Sequence, residues 1–402
     1  MIEPVFAVRT ASAPDAKPGF RRLPYLDGLR ALAALFVVVH HAWAQVWPVF
    51  EAPHAASWPQ GALLYATGFL YYGHFAVGVF IVLSGFCLML PSVGTGALAG
   101  GAVSFFCKRA RRILPPYFAS LALSLVLIAS CLGHKSGTHW DNSLPVTWDG
   151  LLAHLFLLHD LWQPHQINYP LWSIAVEWHI YFLFPLLLVS WRRLGPLLTT
   201  LLAVVLSYNA QFLLAGTLFA SITPQYFALF VLGMLAATVS FSPDPFWLAR
   251  RQRPFWAALA GGLAVLLIGL CWRLGFVRAG AYQADLDYRA GIAAAALLVS
   301  VSSAPNGRLH AFLAWKPLVW LGSFSYSLYL VHAPLLQLVS QYVLVPYGAG
   351  WSRGEMFAVM VCGGLPVVVA CAYLFFRLAE KPFLPGRSLL SYGARYADTL
   401  KT

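Results

Sequence analysis

Two ionisable side chains share one face of the first apolar segment. The stretch YLDGLRALAALFVVVHHAW begins at Tyr25 and carries Arg30 near its start and His41 near its end. Eleven helical residues make three turns plus about 20°, so both side chains point the same way, about 16 Å apart. An ionisable group within the membrane marks function by default, although an interhelical hydrogen bond is the alternative for a single histidine. His40 lies about 100° off this line, and we expect it to be structural.

A cluster of cations precedes the third apolar segment. The stretch FFCKRARRILPPYF contains Lys108, Arg109 and Arg112, and the two arginines, three residues apart, share a helical face. Guanidinium forks and a lysine charge suit phosphate groups. An anchor to lipid head groups is the alternative reading.

Two more ionisable groups lie within apolar segments. Glu177 has no Lys or Arg within ten residues, so a partner elsewhere in the fold is needed to keep it charged. If the hydrocarbon core is about 30 Å thick, helical rise puts His41, Glu177 and His332 at a similar depth. Ser84, in GVFIVLSGFCLML, indicates either a small-residue helix contact or a place where the backbone approaches a ligand.

The composition predicts the elements that hold these side chains. The 402 residues are 60% hydrophobic and 10% charged, whereas soluble domains carry about 25% charged residues. Apolar runs of about 20 residues span a bilayer, and the amphipathic patterning of a large soluble core is mostly absent. We therefore predict an all-α fold, a polytopic transmembrane helix bundle of about 10 spans, near residues 26–48, 69–91, 114–132, 172–191, 196–215, 224–240, 255–273, 286–304, 318–341 and 356–378.

The distribution of charge predicts the orientation. With the N-terminus inside, the inner side holds all of the 26 Lys and Arg except five, namely Lys135, Arg273, Arg278, Arg289 and Arg353. This is the positive-inside pattern, and it accounts for the net charge of +12 without nucleic acid as a partner. We expect a multi-pass protein of the plasma (inner) membrane, in contact with membrane lipids and with both termini cytoplasmic.

The chain divides into three parts. We predict a cytoplasmic N-terminal tail over 1–24, a transmembrane domain over 25–385 and a cytoplasmic C-terminal tail over 386–402. The N-terminal stretch has no apolar core of the kind found in a signal peptide. The six cysteines form no CxxC pair, so neither disulfides nor a metal site is expected.

Six stretches, in order, resemble the membrane-bound acyltransferase-3 family of O-acyltransferases. LDGLRALAALFVVVHHA is similar to the family's first helix, whose arginine and histidine fall on Arg30 and His41. VFIVLSGF and the Arg-x-x-Arg pair, Arg109 and Arg112, followed by ILPPY, match the next two elements. WSIAVEWHIYFLFP, SYSLYLVH and FFRLAEKPF complete the series over about residues 24–385. Where the family has Glu-Glu-Gln, this chain has Glu177-Trp178-His179, so no role of the second Glu or of the Gln carries over.

The resemblance implies transfer of an acyl group, usually acetyl, from cytoplasmic acyl-CoA to a hydroxyl. The acceptor would be an extracytoplasmic glycan or glycolipid, such as exopolysaccharide or lipopolysaccharide. Acetyl-CoA or another acyl-CoA would be a donor substrate, and no cofactor would be bound permanently. The residues that would bind the donor are Arg30, Ser84, Lys108, Arg109 and Arg112.

The resemblance also implies roles near the middle of the membrane. His41 would act as general base, because imidazole exchanges protons near neutral pH. Glu177 or His332 would orient His41 or the acceptor, as a third group orients the base in a catalytic triad. A relay through an acyl-histidine is the alternative mechanism.

Other functions remain open from the sequence. The acceptor could be a small secondary metabolite such as a macrolide. A proton-coupled secondary transporter would use the buried His and Glu side chains as a relay, but no internal repeat of the kind common in transporters is visible. A non-catalytic scaffold or a flippase partner is the third possibility. The sequence does not assign the acyl chain length, the oligomeric state or the role of the outer loop 133–171.

Overall fold

The computed structural model describes residues 23–49, 58–98, 100–161, 166–217, 219 and 221–384. Helices dominate these residues, and none of them is in a β-strand, which confirms the predicted all-α fold. Apart from Leu23 and Pro24, the predicted tails 1–24 and 386–402 lie outside the described ranges.

Long helices in the described part of the chain correspond one by one to the predicted spans. In chain order they are α1 Pro24–Val46, α2 His74–Met89, α3 Gly101–Leu127, α4 Trp172–Leu194, α5 Pro196–Leu214, α6 Gln225–Phe241, α7 Arg253–Ala281, α8 Gln283–Ser302, α9 Ser325–Val339, and α10, the segment Arg353–Phe383, which includes two π-helical turns. Shorter helices are Ala62–Thr67 and Gly68–Tyr72 before α2, Trp148–Leu155 between α3 and α4, and Arg308–Leu313 and Lys316–Gly322 between α8 and α9.

Eight of the described helical segments are long and apolar enough to cross a membrane. The other two long helices are α6, which is apolar but has 17 residues, and α8, whose first turns carry Asp285, Asp287 and Arg289. Together they agree with a bundle of about 10 spans. The protein is therefore a polytopic helical membrane protein.

The third helix begins earlier than the sequence predicts. It starts at Gly101 rather than near residue 114, and it continues through Pro115 and Pro116. Its first turns have apolar partners, since the Phe105 ring lies 5.2 Å from that of Phe184 on α4. Packing thus outweighs the tendency of proline to break a helix. The Arg-x-x-Arg pair consequently lies well inside α3.

The predicted span 318–341 is divided in two. The short helix Lys316–Gly322 ends just before α9 begins at Ser325. A Cβ on Gly322 would lie 1.9 Å from the Asp27 backbone oxygen, so the chain touches the start of α1 where the break occurs. His332 then lies seven residues into α9, about 10 Å from its start.

Helix α1 packs against α2, α9 and the short helix Lys316–Gly322, and α2 packs along α6 and α8. The crossing of α2 and α6 depends on two glycines. A Cβ on Gly85 would lie 1.9 Å from the Phe230 backbone oxygen, and one on Gly233 would lie 2.0 Å from that of Val82. Each glycine therefore faces the backbone of the partner helix, the small-residue contact common between membrane helices.

We expect Gly85→Ala to destabilise the bundle by about 1–3 kcal/mol, because the added methyl group forces two backbones apart. Thermal unfolding in detergent, monitored by circular dichroism, measures the change. The matched control is Gly262→Ala on α7, where a Cβ would meet nothing within 4 Å. There we expect alanine to stabilise the helix by up to about 1 kcal/mol. Equal melting temperatures for the two variants would show that the crossing does not depend on Gly85.

Candidate active site

His41 of α1 and His332 of α9 lie side by side inside the bundle. Their ring centroids are 5.1 Å apart, and the ring planes differ by 28°. Nδ1 of His41 and Nε2 of His332 are buried and lack a hydrogen-bond partner among the described residues. Most buried polar atoms in proteins have a partner, so these two ring nitrogens are candidates for contact with a substrate.

The tautomer of His332 follows from one backbone contact. Its Nδ1 lies 2.7 Å from the carbonyl oxygen of Tyr329. Because a carbonyl oxygen only accepts, Nδ1 donates, and Nε2 of the neutral ring keeps its lone pair. His332 therefore presents a hydrogen-bond acceptor next to His41.

Residues from the loop between α3 and α4 complete the surroundings of His41. The ring centroids of His139 and Tyr169 lie 5.5 Å and 4.9 Å from that of His41. No sequence pattern singled out either residue. The histidines and tryptophans of the loop were the available signal, but spacing along a chain does not show that a loop folds back onto α1.

A hydrogen-bond network holds this loop over the histidine pair. Gln45 of α1 donates from Nε2 to Oε1 of Gln337 on α9 at 3.1 Å. Thr138 donates to the same oxygen at 2.9 Å, and Gln337 Nε2 donates to Ser136 Oγ at 3.0 Å. The network links α1, α9 and the loop, so the loop covers the pair from the side predicted to be outside.

His40 has a different environment from His41. It is buried, and its Nδ1 donates to the Leu70 carbonyl oxygen at 2.6 Å. A Cβ on Gly73 would lie 2.1 Å from its ring, so the ring fills a gap against the segment before α2. Although several histidines meet here, no group of three or more His, Cys, Asp or Glu within the described ranges could hold a metal ion.

Arg30 lies on the same face of α1, about 16 Å before His41. Its Nη1 donates to Asp27 Oδ1 at 3.0 Å, and its Nη2 donates to Cys87 Sγ of α2 at 3.0 Å. The carboxylate of Glu177 also interacts electrostatically with the guanidinium of Arg30. The arginine is thus held between α1, α2 and α4.

Glu177 belongs to this arginine group. Its Oε1 accepts a hydrogen bond from the Tyr181 hydroxyl at 2.5 Å. Because the single proton of that hydroxyl is donated to Glu177, Ser84 Oγ is the donor in its hydrogen bond to the Tyr181 oxygen at 2.9 Å. Glu177 further interacts with the guanidinium of Arg109 on α3. Arg30 and Arg109 therefore act on Glu177 from a distance, since no described residue forms an ion pair with it within 4 Å.

The predicted cation cluster contains one partly buried residue and two exposed residues. Arg109 is partly buried, and its Nε has no hydrogen-bond partner among the described residues. Arg112 and Lys108 are exposed, and Arg112 interacts electrostatically with the buried carboxylate of Glu380. The unpartnered Nε of Arg109 and the exposed charges beside it suit an anionic ligand.

The predicted site residues thus form two groups. The first group is His41 and His332. The second group contains Arg30, Arg109 and Glu177, with Ser84 beside them. The structure does not bring Glu177 next to either histidine. Helix α1 connects the groups, because it carries Arg30 in one and His41 in the other.

Two histidines hold the outer loop in place. The rings of His154 and His159 stack with centroids 4.0 Å apart and planes 5° apart, and both residues are fully buried. His154 Nδ1 donates to the Gly150 carbonyl at 2.7 Å, and Tyr117 of α3 donates to the carbonyl oxygen of His154 at 2.8 Å. Burial lowers the pKa of His154 to about 4 and, helped by the neighbouring His154, the pKa of His159 to about 3.

Comparison with known proteins identifies similar sequences. A family model described as an acyltransferase domain matches residues 23–377. YrhL of Bacillus subtilis, provisionally named a peptidoglycan O-acetyltransferase, is 25% identical over 90% of this chain and 55% of its own length. A provisionally named O-acetyltransferase of Staphylococcus aureus strain COL is 25% identical over 90% of this chain and 57% of its own. The peptidoglycan O-acetyltransferase OatA of Listeria monocytogenes is 24% identical over 79% of this chain and 50% of its own.

The chain therefore spans about half the length of the curated relatives it matches. No solved structure gives a significant match.

We expect acidification to loosen the outer loop. The histidine pKa is about 6.5 in an unfolded chain, so below that pH the unfolded loop binds more protons than the folded one. Stability contributed by the neutral pair is present above about pH 6.5 and is lost as the pH falls towards about 4. Hydrogen exchange of residues 148–161, corrected for its intrinsic pH dependence, should therefore accelerate over this range.

His159→Phe should flatten this pH profile, because phenylalanine keeps the stacked ring but does not titrate. The ring nitrogens of His159 have no partner in normal hydrogen-bond geometry and interact only weakly with the backbone of Leu171 and Ala153, so the change costs little hydrogen bonding. His134→Gln, at an exposed position of the same loop, is the control and should keep the wild-type profile. A pH profile in His159→Phe like that of the wild type would show that protonation of His159 does not loosen the loop.

Proposed function

The chain belongs to the acyltransferase-3 family, and on this basis we propose that it transfers an acyl group, acetyl in the simplest case, from acyl-CoA to a hydroxyl. The donor binds from the cytoplasm, and the acceptor is a glycan or glycolipid on the other side of the membrane. The observation that carries the proposal is the pair of adjacent histidines, each with a buried and unpartnered ring nitrogen, on the same helical framework as an arginine group. One group suits proton transfer and the other suits phosphate binding.

The arginine group supports the assignment of the donor. Coenzyme A carries phosphates, and guanidinium groups bind phosphate through paired hydrogen bonds. Arg109 and Arg112 provide such groups, and Lys108 adds an exposed charge. The pantetheine arm is long and slim, so we propose that it extends along α1 from these cations towards His41.

The histidine pair supports a general-base mechanism. His41 takes the proton from the acceptor hydroxyl while the oxygen attacks the thioester carbonyl carbon. The lone pair on His332 Nε2 then stabilises the protonated His41, as the orienting group does in a catalytic triad. The C–O bond forms, the C–S bond breaks, and the proton passes to the departing thiolate of CoA, so atoms and charge balance.

The position of Glu177 gives it a different role in this proposal. Its carboxylate lies with the arginines, so it balances their charge and orients Arg30 and Arg109. Ser84 and Tyr181 hold the carboxylate in place through their hydrogen bonds. Glu177 is thus a positioning residue for the donor site.

The names of the relatives guide the choice of acceptor. Two of them are named for O-acetylation of peptidoglycan, and we propose a glycan acceptor for this chain as well. The acceptor enters from the side of the loop between α3 and α4, whose residues His139 and Tyr169 pack around His41. The distribution of Lys and Arg supports a location in the plasma (inner) membrane with both termini in the cytoplasm.

His41→Ala should lower acetyl transfer by at least about 100-fold, because it removes the general base, while binding of acetyl-CoA stays at the wild-type level. Purified protein in proteoliposomes, labelled acetyl-CoA and glycan fragments provide the assay. His134→Ala, which changes an exposed histidine of the outer loop, is the control. Transfer that survives His41→Ala would overturn the mechanism but not the family membership.

Arg109→Ala should raise the KM for acetyl-CoA by about tenfold or more, since a charge-assisted hydrogen bond contributes about 1.5–3 kcal/mol. The maximal rate at saturating donor should change much less. Arg111→Ala is the matched control, because this arginine is exposed two residues away and lies about 200° around the helix. Equal effects of the two substitutions would indicate a general charge effect rather than a phosphate site.

A further inference from the structure

We propose that a cavity between α4, α5 and α6 binds the lipid-proximal part of a neutral glycolipid, with a sugar at its polar end and an acyl chain along its apolar walls. This inference rests on the proposed function, because it identifies the acceptor as a glycan carried on a lipid. The cavity lies on a different face of α4 from the face that carries Glu177 and Tyr181.

The cavity has a volume of about 300 Å³, within the range of ligand sites in proteins. Its walls come from the outer half of α4, the last turns of α5, the beginning of α6 and the end of the outer loop. Its lining includes Asp160, His179, Leu183, Leu206, Ser207 and Thr223.

Three buried polar atoms of the cavity wall lack partners. Asp160 Oδ1, Ser207 Oγ and Thr223 Oγ1 have no hydrogen-bond partner among the described residues. Asp160 is 8% exposed and Ser207 is 3% exposed, so bulk water does not satisfy them. The hydroxyl of Tyr288 lies close enough to that of Ser207 to interact with it, but the two are not in normal hydrogen-bond geometry. A buried polar atom without a partner costs about 1–3 kcal/mol, and several around one cavity indicate a ligand that supplies the missing hydrogen bonds.

The polar and apolar parts of the cavity are arranged like a lipid in the outer leaflet. Asp160 belongs to the outer loop and Thr223 to the connection before α6, so the polar end lies towards the predicted outer surface. Leu183 of α4 and Leu206 of α5 lie deeper, at the level of the Ser207 hydroxyl, and they are 41% and 64% exposed. A head group would therefore lie at the outer end, and a chain could enter from the bilayer.

The chemistry of the polar end favours neutral hydroxyls over other head groups. A carboxylate accepts hydrogen bonds and repels a phosphate, which makes an anionic head group unfavourable next to Asp160. Asp160 Oδ2 pairs with His179 Nδ1 at 3.0 Å, which leaves Oδ1 to accept a hydrogen bond from a ligand hydroxyl. Serine and threonine hydroxyls both donate and accept, which matches the hydroxyls of a sugar.

The same outer loop connects this cavity with the histidine pair. Asp160 lies at one end of the loop segment, and Asn168 lies at the other. Asn168 Nδ2 donates to the Leu330 carbonyl oxygen at 3.0 Å, two residues before His332. A glycan anchored at Asp160 would thus extend beneath or beside this loop towards His41.

Binding is tested directly with the full chain in nanodiscs. The probe is a monoglycosyl diacylglycerol with a photoreactive acyl chain, compared with the matched diacylglycerol and with phosphatidylethanolamine that carry the same chain. We expect the glycolipid to cross-link to α5 or α6 with at least fivefold preference over both. Equal labelling by all three, or preference for phosphatidylethanolamine, would overturn the assignment of the head group and with it the proposal.

Two variants test the polar atoms of the cavity and its volume separately. Ser207→Ala with Thr223→Val removes two hydroxyls with little change of shape, and it should weaken glycolipid labelling by about fivefold or more while diacylglycerol labelling stays the same. Ala210→Trp fills the cavity and should abolish specific labelling. Leu213→Trp, on the same helix but exposed and outside the cavity, is the matched control.

A catalytic measurement distinguishes failure of this site from failure of the proposed function. Ala210→Trp should raise the KM for the glycolipid acceptor by at least about tenfold, with the KM for acetyl-CoA unchanged. Normal acceptor kinetics in Ala210→Trp would overturn the lipid site and leave the acyltransferase function intact. Specific labelling without any acetyl transfer from acetyl-CoA would overturn the proposed function, and then the cavity would be a lipid site but not an acceptor site.

Discussion

A charged or polar group within an apolar bundle is unfavourable unless another group satisfies it, and the arrangement of this protein depends on that constraint. Arg30 is held by Asp27, Glu177 by Tyr181 and the neighbouring guanidiniums, and Glu380 of α10 by Ser327 of α9 at 2.5 Å. The first two contacts lie between successive turns of one helix, whereas the third joins α9 to α10. Buried polar atoms without a partner are exceptions to this rule, and they indicate candidate ligand sites. Where a buried nitrogen or oxygen has no partner, as in the histidine pair and in the cavity beside α4, a ligand that forms the missing hydrogen bond would recover the free energy lost in folding.

Helix α1 sets the distance between the two parts of the candidate site. Because one continuous helix carries both Arg30 and His41, their separation of about 16 Å follows from helical rise and does not change when loops move. The glycine contacts at the crossing of α2 and α6 make the neighbouring wall similarly rigid, since two backbones touch there. A rigid separation suits a donor with phosphates at one end and a thioester at the other. The parts of the site that can adapt are those contributed by the outer loop, which is held by side-chain hydrogen bonds.

Much of this arrangement was predictable from the sequence, because it follows from periodicity. Apolar length predicted the bundle, and helical phase separated His41 from His40, which packs against the segment before α2. The depth in the membrane, estimated from helical rise, indicated that His41 and His332 lie at one level but not that they touch. The same estimate placed Glu177 at that level, whereas Glu177 lies near the arginines. Depth along separate helices carries no information about which helices are neighbours or how far each is tilted. The loop residues His139 and Tyr169 were not predictable by periodicity, since a loop has none, and the early start of α3 reflects aromatic packing against α4 that only the folded chain provides.

The two faces of α4 have a consequence for how such proteins diverge. Glu177, Tyr181 and Phe184 point towards the arginines and the core, whereas Val176, His179 and Ile180 line the cavity. Substitutions on the second face can accumulate without disturbing the first, because neighbouring positions of one helix contact different parts of the protein. His179 illustrates this freedom, since its ring contacts Asp160 of the outer loop and not the arginine group. If the cavity binds the acceptor as we propose, its lining can change while the arginine group and the histidine pair stay the same.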